Sequence, residues 1–399
     1  MPSDVPRRFL FVSSNLTWGG SEHLWSGTAI ALAEQGHHVT AFKLLRGTGE
    51  PAMRALRERG GRVVEVARMP LVPRRAFSAL VLYAAPLARL VQTLRLRATA
   101  ARTRPDLVLL SVGTNVDGIA LAAVLRRLRL PYAIVAHKAA EQRWPSDADR
   151  PAMRDAYTTA VAAYFVSEHN LRLTEEQLGV TLENAAIVRN PFGVPYAPRT
   201  DWPSGEPLRL ACVARLLPPE KGQDLLLRVL ARERWRSRAL SVTFFGNGPH
   251  RDALNAMASR LALTSVTFAG HVDDVAAIWR DHHALVLPSR CEGLPIVLVE
   301  AMLSGRVPIV TNAGGNAEVV EDGVTGFVAA APSEDALDEA MERAWQRRDE
   351  WRAIGARAAE SIRTFVPPDP LRVFAAELDA LAAMTRVAPR AAVVGLSPS

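Results

Sequence analysis

Cysteine is nearly absent: Cys212 and Cys291 are the only two in 399 residues. That excludes a disulfide scaffold and a Cys-rich zinc module. Lysine is almost as scarce, with Lys43, Lys138 and Lys221 alone among 48 basic side chains. Aromatic residues make up only 6%. No apolar run approaches the ~18 residues of a spanning helix, so none is expected. No basic–apolar–small-residue leader opens the sequence, which predicts a cytoplasmic location. A Walker-type nucleotide hydrolase is disfavoured, because no Gly-x4-Gly-Lys-Ser/Thr loop is present. No nucleophile elbow announces a Ser-His-Asp arrangement. His37-His38 and His282-His283 lack partners at metal-ligand spacing, and Asp273-Asp274 lacks the Asp-x-Asp spacing of a metal–diphosphate site. No metal and no cofactor are therefore expected.

The remaining composition is that of a globular protein: 49% hydrophobic and 22% charged. A chain of this length predicts two domains. The net charge of +7 is unevenly spread. Residues 54–104 hold twelve arginines against Glu58 and Glu65, and the rest is slightly acidic. A one-sided basic region points to an anionic partner. Within it, Phe77, Leu80, Ala84, Leu87, Val91 and Leu94 recur at helical spacing beside Arg74, Arg75, Arg89, Arg95 and Arg97. That pattern fits either a domain helix or peripheral contact with an anionic membrane at its inner face. Nucleic acid is not expected, since only Phe77 and Tyr83 could stack bases there.

Apolar runs alternate with helical patterns along the chain. Strands are expected at Phe9–Ser13, Val39–Leu44, Val63–Val66, Leu107–Val112, Tyr132–Ala136 and Tyr164–Ser167. A helix is expected from Ser21, as N-cap, to Gln35. Five prolines between Pro191 and Pro207 then mark a linker. Alternation resumes with strands at Leu208–Ala214, Leu240–Phe245, Val266–Ala269, Ala284–Leu287 and Val307–Val310. Alternation of this kind means parallel sheets covered on both faces. The expected organisation is an α/β domain over 1–193, a linker over 194–207, a second such domain over 208–370 and a helix over 371–387.

Glu292 lies in the turn Arg290-Cys291-Glu292-Gly293-Leu294 after a strand, and Pro295 suits the first turn of the following helix, which holds Glu300. A helix start offers unpaired N–H groups and a positive dipole end, an anion site. The two carboxylates would flank a phosphate there; the plainer alternative is a surface glutamate and a capping one. Arg215 and Lys221 sit in a turn after Leu208–Ala214, and ligands bind open α/β sheets beyond strand carboxyl ends. Two cations and a helix start suit a diphosphate. Gly19-Gly20-Ser21-Glu22, Gly246-Asn247-Gly248 and Gly314-Gly315-Asn316-Ala317-Glu318 are turns of the kind that lets a ligand approach the backbone. His137 ends the strand Tyr132–Ala136, where it could meet a ligand or serve the fold.

Together, Glu292-x7-Glu300 with Gly293-Leu294-Pro295, Arg215 with Lys221-Gly222, Gly314-Gly315-x-x-Glu318, Gly19-Gly20-Ser21-Glu22 and Asn190-Pro191-Phe192-Gly193 resemble the retaining GT-B glycosyltransferases with an E-x7-E signature, the group 1 or family 4 type. The resemblance implies two Rossmann-like domains facing a cleft, with the C-terminal helix crossing back onto the first. It implies transfer of a hexose-type sugar, with retention and without metal, from a UDP- or GDP-type nucleotide sugar to a small-molecule, glycan or lipid-linked acceptor. It implies that Arg215 and Lys221 hold the diphosphate and Glu292 the donor sugar, with His137 at the reaction centre. Gly20, Gly246, Asn247, Val272, Gly293, Leu294, Pro295 and Glu300 would bind the donor, Glu300 at the ribose and Val272 at the base. Gly19, Ser21 and Glu22 would face the acceptor. One departure is clear: six residues separate Arg215 from Lys221 where many members have five, with Pro218-Pro219 taking up the extra one. A sugar-nucleotide epimerase and a non-catalytic sugar-nucleotide or polyanion-binding module are the alternatives.

Overall fold

In a computed structural model, residues 5–15, 18–43, 50–65, 90–197 and 201–387 are described. Two parallel sheets organise them. The first runs β1 (Arg8–Ser13), β2 (His38–Lys43), β3 (Arg62–Glu65), β4 (Leu107–Val112), β5 (Tyr132–Ala136), β6 (Ala162–Phe165) and β7 (Ala185–Ile187), in the spatial order β3-β2-β1-β4-β5-β6-β7. The second runs β8 (Leu208–Val213), β9 (Leu240–Phe245), β10 (Val266–Gly270), β11 (Ala284–Leu287), β12 (Val307–Thr311) and β13 (Phe327–Ala329), in the order β10-β9-β8-β11-β12-β13. Strand order reverses at β1/β4 and at β8/β11, which makes those carboxyl ends the natural crevices of each sheet.

Alternate side chains of each strand enter opposite cores. Leu10 and Val12 join one cluster with Leu110 and Ile134, while Phe9 and Phe11 join another with Leu109 and Val135. In the second sheet Leu210, Cys212, Val242 and Phe244 take one face, and Ala211, Leu285, Leu287 and Val310 the other. Both faces are covered by helices, so the strands read as continuous apolar runs.

Residues 188–197 and 201–207 carry no helix or strand. The last described helix, Pro370–Val387, belongs to the first domain's core. Phe374, Ala375, Leu378 and Ala382 are buried there, at the i, i+1, i+4, i+8 spacing of one helix face. Phe374 meets Tyr164 edge-on at 4.9 Å, and Asp379 pairs with Arg7 and His37.

Several expectations needed correction. The helix Gly20–Glu34 is capped by Gly19 and not by Ser21, whose hydroxyl instead accepts the Asn15 amide at 2.9 Å. Pro295 is likewise the N-cap of Ile296–Leu303 and not inside it. The strand expected at Tyr164–Ser167 lies at Ala162–Phe165, because Ser167 caps the helix Glu168–Leu178 by accepting the Asn170 N–H. The basic amphipathic segment lies largely outside the described residues. Its described end is helical over 90–103, with Leu96 and Ala100 in the core and Leu90 and Leu94 exposed. Among the described residues no helix is long and apolar enough to cross a membrane.

Candidate active site

The carboxyl ends of the two sheets face one another across a cavity of about 840 Å³. The first domain contributes the turns after β1, β4 and β5, with Asn15, Trp18 to Ser21, Gly113, Asp117, His137 and Lys138. The second contributes Arg215 and Lys221 after β8, Gly246 and Asn247 after β9, Val272 after β10, and Glu292 to Val297 after β11. Arg215, Lys221, Glu292, His137, Gly19, Gly20, Ser21, Gly246, Asn247, Val272, Gly293, Leu294 and Pro295 therefore share one wall system.

The second domain's charges are organised around Glu292. Its oxygens each lie 2.7 Å from Lys221 Nζ, and Ser289 Oγ donates to Oε1 at 2.7 Å. Lys221 is presented by the short helix Pro218–Lys221, which Gly222 ends at φ +63°. A Cβ on Gly222 would come within 1.8 Å of the Pro288 carbonyl oxygen, so only glycine lets the Lys221 turn lie against the strand end. Arg215 is exposed, and among the described residues no carboxylate pairs with it. The start of Ile296–Leu303 opens onto the same cavity.

On the first domain, His137 Nε2 sits 3.2 Å from Ser111 Oγ. Burial lowers its pKa to about 4, with Asn190 working weakly against that. The imidazole is therefore neutral at physiological pH. Lys138, the next residue, pairs with Glu220 of the second domain at 2.8 Å.

Glu22 and Glu300 are not on the cavity wall. Glu22 is fully buried beneath the Gly19-Gly20 turn. Lys43 Nζ lies 2.5 Å from it, and Ser13, Asn15 and Trp25 donate to its carboxylate. A buried carboxylate so engaged supports the turn and does not face an acceptor. Glu300 is buried, with Oε1 accepting the Gly193 N–H at 2.7 Å. Burial raises its pKa to about 7, and the Gly193 bond opposes that. Of Glu292 and Glu300, expected to flank a phosphate, only Glu292 lines the cavity. Glu318 caps the first domain's helix Glu168–Leu178, accepting the N–H groups of Glu168 and His169 at 3.1 and 2.5 Å.

Residues that sequence reasoning passed over include Lys138, Glu220, Asn15, Trp18 and Asp117. Lys138 carried a usable signal, as one of three lysines and the neighbour of His137. Asp147-Ala148-Asp149 does have Asp-x-Asp spacing. However, Asp147 is 98% exposed beside Arg150, Asp149 accepts the Ser146 hydroxyl, and neither lines the cavity. Among the described residues, no three His, Cys, Asp or Glu side chains are grouped to hold a metal ion.

Gly293 packs directly against the first domain. A Cβ there would lie 2.1 Å from the His137 carbonyl oxygen and 2.7 Å from Val166 Cγ2. Gly293→Ala should force the domains apart, at a cost of about 1–3 kcal/mol as for other overpacking. Thermal melting and small-angle scattering check this; an unchanged melting temperature and radius would refute it.

Residues 18–193 match the Glycosyltransferase Family 4 family model, and residues 207–347 match Glycosyl transferases group 1. A GDP-mannose-dependent alpha-(1-6)-phosphatidylinositol monomannoside mannosyltransferase of Mycobacterium tuberculosis is 34% identical over 170 residues, 39% of this chain and 43% of the relative. Its namesake in Mycolicibacterium smegmatis is 31% identical over 253 residues, 53% and 64% respectively. The chain thus spans less than two thirds of the length of these curated relatives. Among solved structures, Anabaena HepE in complex with UDP-glucose superposes with a TM-score of 0.74 at 19% identity, over 94% of this chain and 99% of that one. Sucrose-phosphate synthase from Thermosynechococcus elongatus gives 0.71 at 17% identity, over 96% and 100%. The two Rossmann-like domains facing a cleft, with the last helix returning to the first, are the GT-B fold.

Proposed function

We propose that this chain, built from a Family 4 glycosyltransferase domain followed by a group 1 domain, transfers a sugar from a nucleotide diphosphate sugar to an acceptor hydroxyl. The observation that carries the reading is Arg215, a cation with no carboxylate partner among the described residues, on the same cavity as Lys221 and the open start of Ile296–Leu303. An unpaired guanidinium, an ammonium and a helix start form a cradle for a diphosphate. The solved relative named with UDP-glucose and the curated relatives named as GDP-mannose-dependent support a donor of the UDP or GDP type.

In this reading the bond from the sugar's anomeric carbon to the diphosphate oxygen breaks as the bond to the acceptor oxygen forms. The acceptor's proton goes to the departing phosphate oxygen, and attack from the same face retains configuration. Negative charge grows on the diphosphate, where Arg215, Lys221 and the helix start stabilise it. Glu292 keeps lone pairs beyond those used by Lys221 and Ser289, and these meet donor sugar hydroxyls. The neutral His137 adds no positive charge beside the oxocarbenium-like carbon. The acceptor is a glycan, lipid-linked or small-molecule hydroxyl.

Calorimetric titration with UDP and GDP, followed by product analysis with matching nucleotide sugars and simple glycoside acceptors, tests the reading. Binding of neither nucleotide would remove it. Epimerised donor without acceptor would establish an epimerase instead. No divalent metal takes part in this scheme, so turnover is expected to persist in excess EDTA. Loss of turnover that Mg²⁺ or Mn²⁺ restores would overturn that point.

A further inference from the structure

All three lysines of this arginine-rich chain pair with a carboxylate at or beneath the cleft: Lys43 with Glu22, Lys138 with Glu220, and Lys221 with Glu292. Of these three pairs, only Lys138–Glu220 joins the two domains. Lys138 follows β5 of the first domain, and its Nζ is 2.8 Å from Glu220 Oε2. Glu220 immediately precedes Lys221. Its carbonyl accepts the N–H groups of Arg290 and Cys291 at 2.8 and 3.2 Å, directly before Glu292. Glu220 thus touches the first domain through its side chain and the Glu292 turn through its main chain. The neighbouring contacts reinforce the seam, with Cys291 Sγ 3.7 Å from the Ala139 carbonyl oxygen. Burial favours the neutral form of Glu220, but Lys138, Lys221 and Arg143 outweigh it and hold the carboxyl below its ordinary range. The pair is partly exposed, at 18% and 37% for the two side chains.

We propose that Lys138 and Glu220 form an interdomain clasp that holds the cleft closed and sets Lys221 in place for an incoming diphosphate. Lys138 is then a positioning residue, acting on the donor through Glu220 and Lys221. The inference about the diphosphate rests on the glycosyltransferase reading; the clasp itself does not.

The test uses the full chain with dyes on cysteines placed at the exposed Arg172 and Arg260, one in each domain. Cys212 and Cys291 are buried and leave those positions free to label. Lys138→Met and Glu220→Gln should each lower energy transfer in the absence of ligand. Each should raise the donor KM about fivefold with a smaller change in kcat, the upper end for a partly exposed ion pair. The double variant should be no worse than either single one, because both remove the same contact. Unchanged energy transfer in both single variants would overturn the clasp. A donor defect in Lys138→Met with normal behaviour in Glu220→Gln would also overturn it, placing Lys138 on the nucleotide itself. If wild-type chain binds neither UDP nor GDP, the donor reading fails, while energy transfer still reports on the clasp.

Discussion

Lys221→Ala is expected to lower kcat about a hundredfold while the chain stays folded, by analogy with the loss of an oxyanion donor. Lys221 faces the group on which charge grows as the donor bond breaks, so its contribution rises from ground to transition state. Arg215→Ala should differ in its effect on stability. Arg215 meets the same growing charge, so its loss should also lower kcat, but among the described residues no carboxylate pairs with it, so little melting temperature should go with it. Lys221→Ala also strips Glu292 of the ammonium that meets both its oxygens, leaving a nearly buried carboxylate with Ser289 as its side-chain donor. Some melting temperature will therefore be lost. Lys221→Arg separates the two effects. A guanidinium can pair with Glu292 and recover melting temperature, but a planar fork on a longer stem will not present a compact charge to the phosphate. The expected pattern is recovered stability with kcat still low. Near-normal kcat in folded Lys221→Ala would remove Lys221 from the chemistry.

The sequence carried the parts of this arrangement that depend on local pattern. Leu107–Val112, Tyr132–Ala136, Leu240–Phe245 and Ala284–Leu287 are short, mainly apolar runs closed by turn residues, and each is a strand with those bounds. Knowing the strands locates their carboxyl ends, which is why Arg215, Glu292, His137 and the glycine turns could be assigned to one crevice. Two edge strands escaped. Ala185–Ile187 and Phe327–Ala329 are three residues long, too short for a period to register. Burial across distant segments escaped as well. Nothing near Glu22 announces that Lys43 will neutralise it from the next strand, and Glu300 is fixed by Gly193, 107 residues away. The Lys138–Glu220 contact spans 82 residues and two domains, so only the folded chain reveals it. Arg215 and Lys221 were legible as a diphosphate pair because two cations and a helix start follow neighbouring strands, although either cation alone reads equally as a solvated one; the resemblance added the donor sugar and base contacts.

The buried pair Glu300 and His137 should produce opposing pH effects on stability that nearly cancel. Glu300 titrates near 4.5 when unfolded and at about 7 when folded. Between those values the native state holds the extra proton, so stability falls as pH rises, by about 3 kcal/mol in all. His137 runs the other way. It titrates near 6.5 when unfolded and at about 4 when folded. Between those values the unfolded chain holds the extra proton, so stability rises with pH, again by about 3 kcal/mol. From pH 4.5 to 6.5 the two slopes oppose each other. Glu300→Gln keeps an acceptor for the Gly193 N–H and removes the titration. It should therefore match or trail wild type near pH 4.5 and exceed it by about 3 kcal/mol at pH 8. His137→Gln keeps a polar partner for Ser111 Oγ and will carry a constant packing loss, so its slope is the informative quantity. Relative to wild type it should gain stability as pH falls from 6.5 towards 4. His23, His37, His282 and His283, whose pKa values burial also lowers, are common to all three proteins and drop out of the differences. Urea unfolding at half-unit intervals from pH 4 to 8 measures both slopes. Difference curves that stay flat across this range would mean that neither group is held in the protonation state its burial dictates.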